Sequence, residues 1–225
     1  ARGGGLVWIQ AGTLSLDGQL LANGVSGGAS LSSGSGGGIY ATVGTLTGTG
    51  SISAAGGGGP SNADGGGGGG RIAVYAADSS GFNMASITAL GGTPASGAGG
   101  VGTVYVRDTD EAFGTLIIDA GTGGSGSTPL GLPGQTHVTI PDAVIIRGSR
   151  TLVNNEHAGM DFTFNHSLNI ENAAQMSLNG AVTVFGPVIV NGATFTGTRI
   201  VAADLSLINS SLLTTFGATT SQVYK

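Results

Sequence analysis

Two short clusters hold the residue types most suited to chemistry. "RDTDEAFG" brings together Asp108, Asp110 and Glu111, and "EHAGMDFTFNH" gathers Glu156, His157, Asp161 and His166. Clustered carboxylates offer oxygens to a hard cation such as Ca²⁺. Two histidines among carboxylates suit metal ligation or proton transfer. Neither spacing completes a known pattern. The acidic run lacks the later bidentate Glu of a calcium loop, and the histidines do not stand four apart on a helix. Asn62 and Asp64 in "NADG" are a third, weaker source of oxygens. All three read best as surface turns, with Asp108, Asp110 and Glu111 kept as the candidate Ca²⁺ ligands and no other cofactor expected.

The run "GGGGPSNADGGGGGGRIAVY", from Gly56 to Tyr75, raises a different chemistry, the cradling of a phosphate. A phosphate loop needs a helix whose N-terminus faces the anion, and usually Lys followed by Ser or Thr. Here a strand-like run starting at Arg71 follows the glycines, and the only lysine is Lys225. The glycines therefore read as loop. Polysaccharide cleavage needs paired carboxylates, or a base with a neutralising cation, on one face. Twelve acids and seven bases are spread thinly, and only Asp142, Arg147 and Arg150 come near one another. The chain is read as a non-enzyme.

Composition decides which elements can carry these residues. Of 225 residues, 46 are glycine, 40% are apolar and only 8% are charged. A helical surface needs Lys, Glu and Arg on its solvent face, whereas a turn-dense β protein can present hydroxyls and backbone instead. The net charge of −5 and the scattered arginines disfavour nucleic acid and anionic membranes. No cysteine is present, which excludes disulfides and thiolate metal sites. No apolar run has the length of a membrane span.

The glycines conceal a repeat. Triplets at Gly3-Gly4-Gly5, Gly36-Gly37-Gly38 and Gly68-Gly69-Gly70 are followed by a degenerate "GVG" at Gly100, a spacing of about 32 residues that suits arrays and solenoids. Alternation within each unit is of strand type: Ile72, Val74 and Ala76 share one face. After about residue 135 the excursions vanish. Units such as "LNIENAAQMSLNG" and "VIVNGATFTG" then recur about every 20 residues, with Asn191-Gly192 and Asp17-Gly18 as corners that tolerate positive φ. The expected fold is all-β, a right-handed parallel β-helix (β-solenoid) with glycine-rich corner loops. Residues 1–134 form coils with a period of about 32, and residues 135–225 form plainer coils with a period of about 20. The junction is "GTGGSGSTPLGLPGQ". The excursions at 24–38, 56–70, 91–102 and 121–134 should stack, either as flexible loops or as packed extended helices. An antiparallel sandwich is the structural rival.

The runs "GGGIYATVGTLTGTGSISAAGG", "GGGGGGRIAVY" and "GTVYVRD…FGTLIID" resemble the glycine-rich β-helical repeats of very large secreted or surface proteins of bacteria, the adhesin-like class. The resemblance implies an extracellular or cell-surface, fibre-like or adhesive role and no catalytic residues. Expected partners are other copies, adjoining segments of the same protein, or surface glycans, with no nucleic acid and no membrane insertion. The alternative is a carbohydrate-active β-helix domain of the lyase or hydrolase kind. Tyr40, Tyr75 and Tyr105 each follow a glycine triplet closely and form a candidate ladder. Facing inward it is core; facing outward it is a binding surface. The chain begins inside a repeat, with neither end bearing a polar cap, so the natural chain is expected to continue beyond Ala1, or the ends to meet other copies head to tail.

Overall fold

The structure, a computed structural model, describes residues 1–28, 32–59, 65–93, 97–213 and 223–224. These residues are nearly all in strands and turns, and strand pairing is predominantly parallel. Their one helical segment is a single 3₁₀ turn, Met84–Ser86. The chain forms two compact units, Ala1–Gly126 and Ser127–Lys225, which divide inside the glycine-rich junction.

The first unit contains β1 (Leu6–Ser15), β2 (Gln19–Leu21), β3 (Gly38–Gly48), β4 (Ser51–Ser53), β5 (Arg71–Phe82), β6 (Ile87–Thr88), β7 (Thr103–Asp108) and β8 (Thr115–Asp119). β1, β3, β5 and β7 pair in parallel in that order, and β2, β4 and β6 form a second parallel sheet. Leu6 lies opposite Gly38, Gly38 opposite Arg71, and Arg71 opposite Thr103. The register of the sheet thus follows the repeat of the glycine triplets to within one residue. No hairpin joins β1 to β2, because β2 pairs with β4 instead. Alternation does the rest. Val7, Ile39, Ile72 and Val104 form one inward row, and Leu20, Ile52 and Ile87 form another. Each fully buried side chain of this size contributes about 1.5–3 kcal/mol.

The fourth repeat departs from expectation. After β7 the chain turns through residues 109–114, and β8 runs back antiparallel, with Val104 opposite Ile117 and Val106 opposite Thr115. The fourth excursion is also shorter than expected: beyond Gly126 the chain is already in a strand.

The described residues of the other excursions pack as an outgoing and a returning arm in each repeat. Gly34 donates to the Val25 carbonyl, Gly57 to Gly34, Gly67 to Gly57, Gly92 to Gly67, and Gly99 to Gly92, at 2.8–3.0 Å. Contacts between the same two arms recur every third residue. Gly67 and Gly70 donate to Gly57 and Ala54, while Gly66 and Gly69 donate to Gly97 and Gly100. Three residues per turn without internal bonds is the geometry of an extended left-handed helix. The backbone groups left over by each arm are therefore satisfied by its neighbours, which removes the cost of burying them. None of Gly34, Gly57, Gly67, Gly92 and Gly99 has a positive φ. Glycine is needed there because a Cβ on any of them would come well inside 3.0 Å of a neighbouring carbonyl.

The second unit contains β9 (Ser127–Leu130), β10 (His137–Ile140), β11 (Ala143–Arg147), β12 (Leu152–Asn155), β13 (Asp161–Phe164), β14 (Leu168–Glu171), β15 (Gln175–Ser177), β16 (Ala181–Asn191), β17 (Thr194–Thr196), β18 (Arg199–Ile208), β19 (Ser211–Leu213) and β20 (Val223–Tyr224). Three parallel ladders run through it. The first is β9, β12, β15, β17, β19. The second takes β10, β13 and the leading halves of β16 and β18. The third takes β11, β14 and the trailing halves of those two strands. Hydrogen bonds between successive turns of chain span 24 residues at Asn155–Asn179, 20 at Asp161–Ala181 and 17 at Ala193–Ser210. The interval first shortens by four because the six positions from Asn155 to Asp161 are matched by only two from Asn179 to Ala181. β13 and β14, separate strands flanking Asn165, His166 and Ser167, are merged in β16 with their spacing unchanged. Gly186 makes this merger fit, lying against the backbone of His166 and Ser167 where a Cβ would clash.

The core of this unit is a set of in-register stacks. Thr128, Val153, Met176 and Phe195 form one. Val138, Phe162, Val182 and Ile200 form another. Corners recur as left-handed residues at Gly148, Asn172, Gly192 and Asn209, with φ between 47° and 95°. Asn191-Gly192 is thus a corner and not a reversal. Asp17-Gly18 works differently, without positive φ: Asp17 Oδ1 accepts from the amide and hydroxyl of Thr49, one repeat later.

Candidate functional site

The acidic trio spans the last residue of β7 and the turn after it, where the Asp108 carboxylate and the backbone bond to one another. Asp108 Oδ1 accepts from the Asp110 amide at 2.9 Å, and the Glu111 amide donates to the Asp108 carbonyl at 3.1 Å. Arg107 clamps the far side, donating from Nε and Nη2 to the Glu111 carbonyl at 3.3 and 3.0 Å. A cleft of about 410 Å³ lies beside this turn, with Val74, Met84 and Phe113 among its apolar walls. Among the described residues no three His, Asp or Glu side chains converge as a metal site. Asp108, Asp110 and Glu111 thus lie in a turn capped by the Asp108 carboxylate. Asn62 and Asp64 lie outside the described residues.

The second cluster is likewise spread over bracing contacts. Asp161 Oδ1 accepts from the Ala181 amide at 2.7 Å. Asn155 Nδ2 donates to the His157 carbonyl and to Asn179 Oδ1, while the Asn179 amide donates back to Asn155 Oδ1. The histidine that faces Asp161 across the strands is His137, whose Nε2 is 3.2 Å from Thr163 Oγ1. Only the parallel register brings those residues together, and nothing in the local sequence marks them. Arg147 lies opposite Glu171, Asp142 precedes β11, and Arg150 sits in the turn that follows it.

One carboxylate is electrostatically distinct. The Ser80 hydroxyl and amide both donate to Asp78 Oδ1, at 2.7 and 2.9 Å, and these bonds hold its pKa below the ordinary aspartate value.

The tyrosines do meet. Tyr40 and Tyr75 have ring centroids 5.4 Å apart, tilted by 45°, and Tyr75 and Tyr105 are 5.5 Å apart, tilted by 53°. Offset, tilted rings at this separation are the favoured aromatic arrangement. Strand alternation decides which way they face. Ile39, Ile72 and Val104 are buried, so Tyr40 and Tyr105, one residue on, point outward, and Tyr75 does so beside buried Val74. Tyr40 and Tyr105 share the row that runs through Trp8 and Ala73, and Tyr75 stands in the next row. Trp8 is 72% exposed and Tyr40 41% exposed. The aromatic ladder is a surface feature.

No family model, characterised protein or solved structure matches this chain. The functional reading therefore rests on the geometry alone. Its notable parts are a braced acidic turn, an outward aromatic zigzag and a hydrogen-bonded glycine layer.

Proposed function

We propose that the chain is a structural and adhesive segment of an extracellular repetitive fibre, built as a right-handed parallel β-helix with glycine-rich corners. The observation that supports this best is the register. Strands one repeat apart pair in parallel, and the glycine arms bond to their counterparts one repeat on. Such an arrangement extends by adding repeats, each held by its neighbours, which suits a load-bearing rod. Its partners in this reading are other copies or adjoining segments of the same protein, and surface glycans. In this reading the self-capped acidic turn braces the fourth repeat, and the chain carries out no turnover.

Immunogold labelling of intact source cells with antibodies raised against the chain tests the location. Label on the surface or on extracellular fibres is expected, and label confined to the cytosol overturns the reading. The purified chain should release no new reducing or unsaturated ends from pectin or alginate. Turnover lost on Asp142→Asn would replace the structural reading with the carbohydrate-active one.

A further inference from the structure

We propose that the outward face of β1, β3, β5 and β7 binds a neutral, linear polysaccharide lying across the strands. The proposal deepens the adhesive reading above and rests on it.

Two adjoining features of that face carry it. The first is the aromatic zigzag of Trp8, Tyr40, Tyr75 and Tyr105, which advances by strand. Strand spacing is about 4.7–4.9 Å, close to the length of one sugar ring, so successive rings of a linear glycan can keep step with the ladder. Aromatic faces also match the apolar C–H faces of pyranoses. The second is a shallow trough of about 650 Å³ alongside, lined by Gln10, Gly12, Thr42, Gly44, Ala77 and Thr109 and by the backbone near Ala11 and Val43. Gln10 and Thr42 stand in the same cross-strand row as Tyr75, so trough and ladder are contiguous.

The composition of the trough selects the occupant. Its floor is glycine and alanine, which lets a chain lie close to the sheet, and its polar groups are one amide and two hydroxyls. These donate and accept hydrogen bonds, as sugar hydroxyls do. No charged side chain lines it, and Arg107, which ends the Tyr75 row on β7, is engaged by the Glu111 carbonyl, so the trough itself offers a polyuronate or a cationic peptide no ion pair. A nucleic acid would need a basic stripe, and the chain carries a net charge of −5. Aromatic walls with a few fixed polar groups are the usual makeup of a small-molecule or glycan site.

The test is calorimetric titration of the whole 225-residue chain with soluble β-glucan, xyloglucan and galactomannan, alongside polygalacturonate. Saturable binding to at least one neutral glycan, and none to polygalacturonate, is expected. Trp8→Ala and Tyr40→Ala should each weaken it at least tenfold. Gly12→Leu is the decisive variant. A Cβ there meets nothing within 4 Å, so a side chain can leave the strand toward the trough, and binding should fall at least tenfold at an unchanged melting temperature. Binding to no neutral glycan, a preference for polygalacturonate, or full affinity in Gly12→Leu overturns the groove. Glycan binding by a protein labelled only in the cytosol would spare the groove and sink the fibre reading. Absence of binding by a surface-labelled protein would do the reverse.

Discussion

A Cβ placed on Gly67 would fall well inside 3.0 Å of the carbonyl oxygen of Gly34, whereas one on the adjacent Gly68 would have its nearest neighbour, the Gly100 carbonyl, at 3.9 Å. Two consecutive glycines of one run therefore have opposite tolerances. Gly67→Ala should destabilise by about 2–3 kcal/mol through overpacking, seen as a fall in melting temperature of roughly 5–10 °C. Gly68→Ala should be neutral or stabilise by up to about 1 kcal/mol, because alanine narrows the unfolded ensemble. Equal effects at both positions would mean the arms do not pack as described.

Ala173 holds a φ of 62° at the corner between β14 and β15. A left-handed conformation costs an alanine about 1–2 kcal/mol, and glycine avoids that cost. Ala173→Gly should raise stability by about 0.5–1 kcal/mol, since the greater freedom of unfolded glycine offsets part of the gain. The denaturant midpoint should move up with an unchanged slope.

Asn155 and Asn179 support one another across 24 residues, each accepting a hydrogen bond from the other, and Asn179 Oδ1 also accepts from the Gly159 amide at 3.1 Å. Asn179→Ala should cost about 0.5–1.5 kcal/mol, the net worth of the exposed hydrogen bonds it removes. A double-mutant cycle with Asn155→Ala should give a coupling of about 0.5–3 kcal/mol. Strict additivity would show that the ladder does not form.

Phe195 and Phe185 are separated by ten positions and by opposite environments. Phe195 is fully buried in the stack with Val153 and Met176, while Phe185 is 67% exposed on β16. Phe195→Ala should cost about 3–5 kcal/mol, against about 0.5 kcal/mol or less for Phe185→Ala. Thermal unfolding of the two variants side by side decides this.

Asp78 should titrate below the ordinary aspartate range, because the Ser80 hydroxyl and then its amide stabilise the carboxylate. A depressed folded pKa contributes stability above the ordinary aspartate value, and that contribution disappears as pH falls through the folded pKa. Ser80→Ala should raise the Asp78 pKa toward normal in a carboxyl-carbon NMR titration. An unmoved pKa in that variant would assign the shift to another cause.

Much of the architecture was legible in the residues. Alternation in "RIAVY" put Ile72 and Val74 in the core, and the recurrence of the glycine triplets anticipated pairing one repeat apart, although their spacing of 32 sets Gly38 against Gly70 where the sheet sets it against Arg71. Both follow from local rules: a strand alternates its faces, and a repeated segment packs against its own copy. The positive φ at Gly192 was likewise visible in the Asn-Gly pair.

Other features were decided only in three dimensions. In sequence Gly67 and Gly68 are interchangeable, because what separates them is the distance to a carbonyl on another arm. The reversal at β7 and β8, whose turn Asp108 caps, has no counterpart in the earlier repeats, which continue forward. His137 meets Asp161, while the histidines closer in sequence make other contacts, because the second unit's register aligns strands rather than neighbours. Tyr75 touches both Tyr40 and Tyr105 although its offset from the glycines differs, since rings in adjacent rows reach one another diagonally. Periodicity along the chain thus determined which strands exist and which faces they bury. Close approach between backbones, which acts at distances of a few ångströms and over separations of 20 residues or more, decided where glycine is indispensable and which side chains meet on the surface.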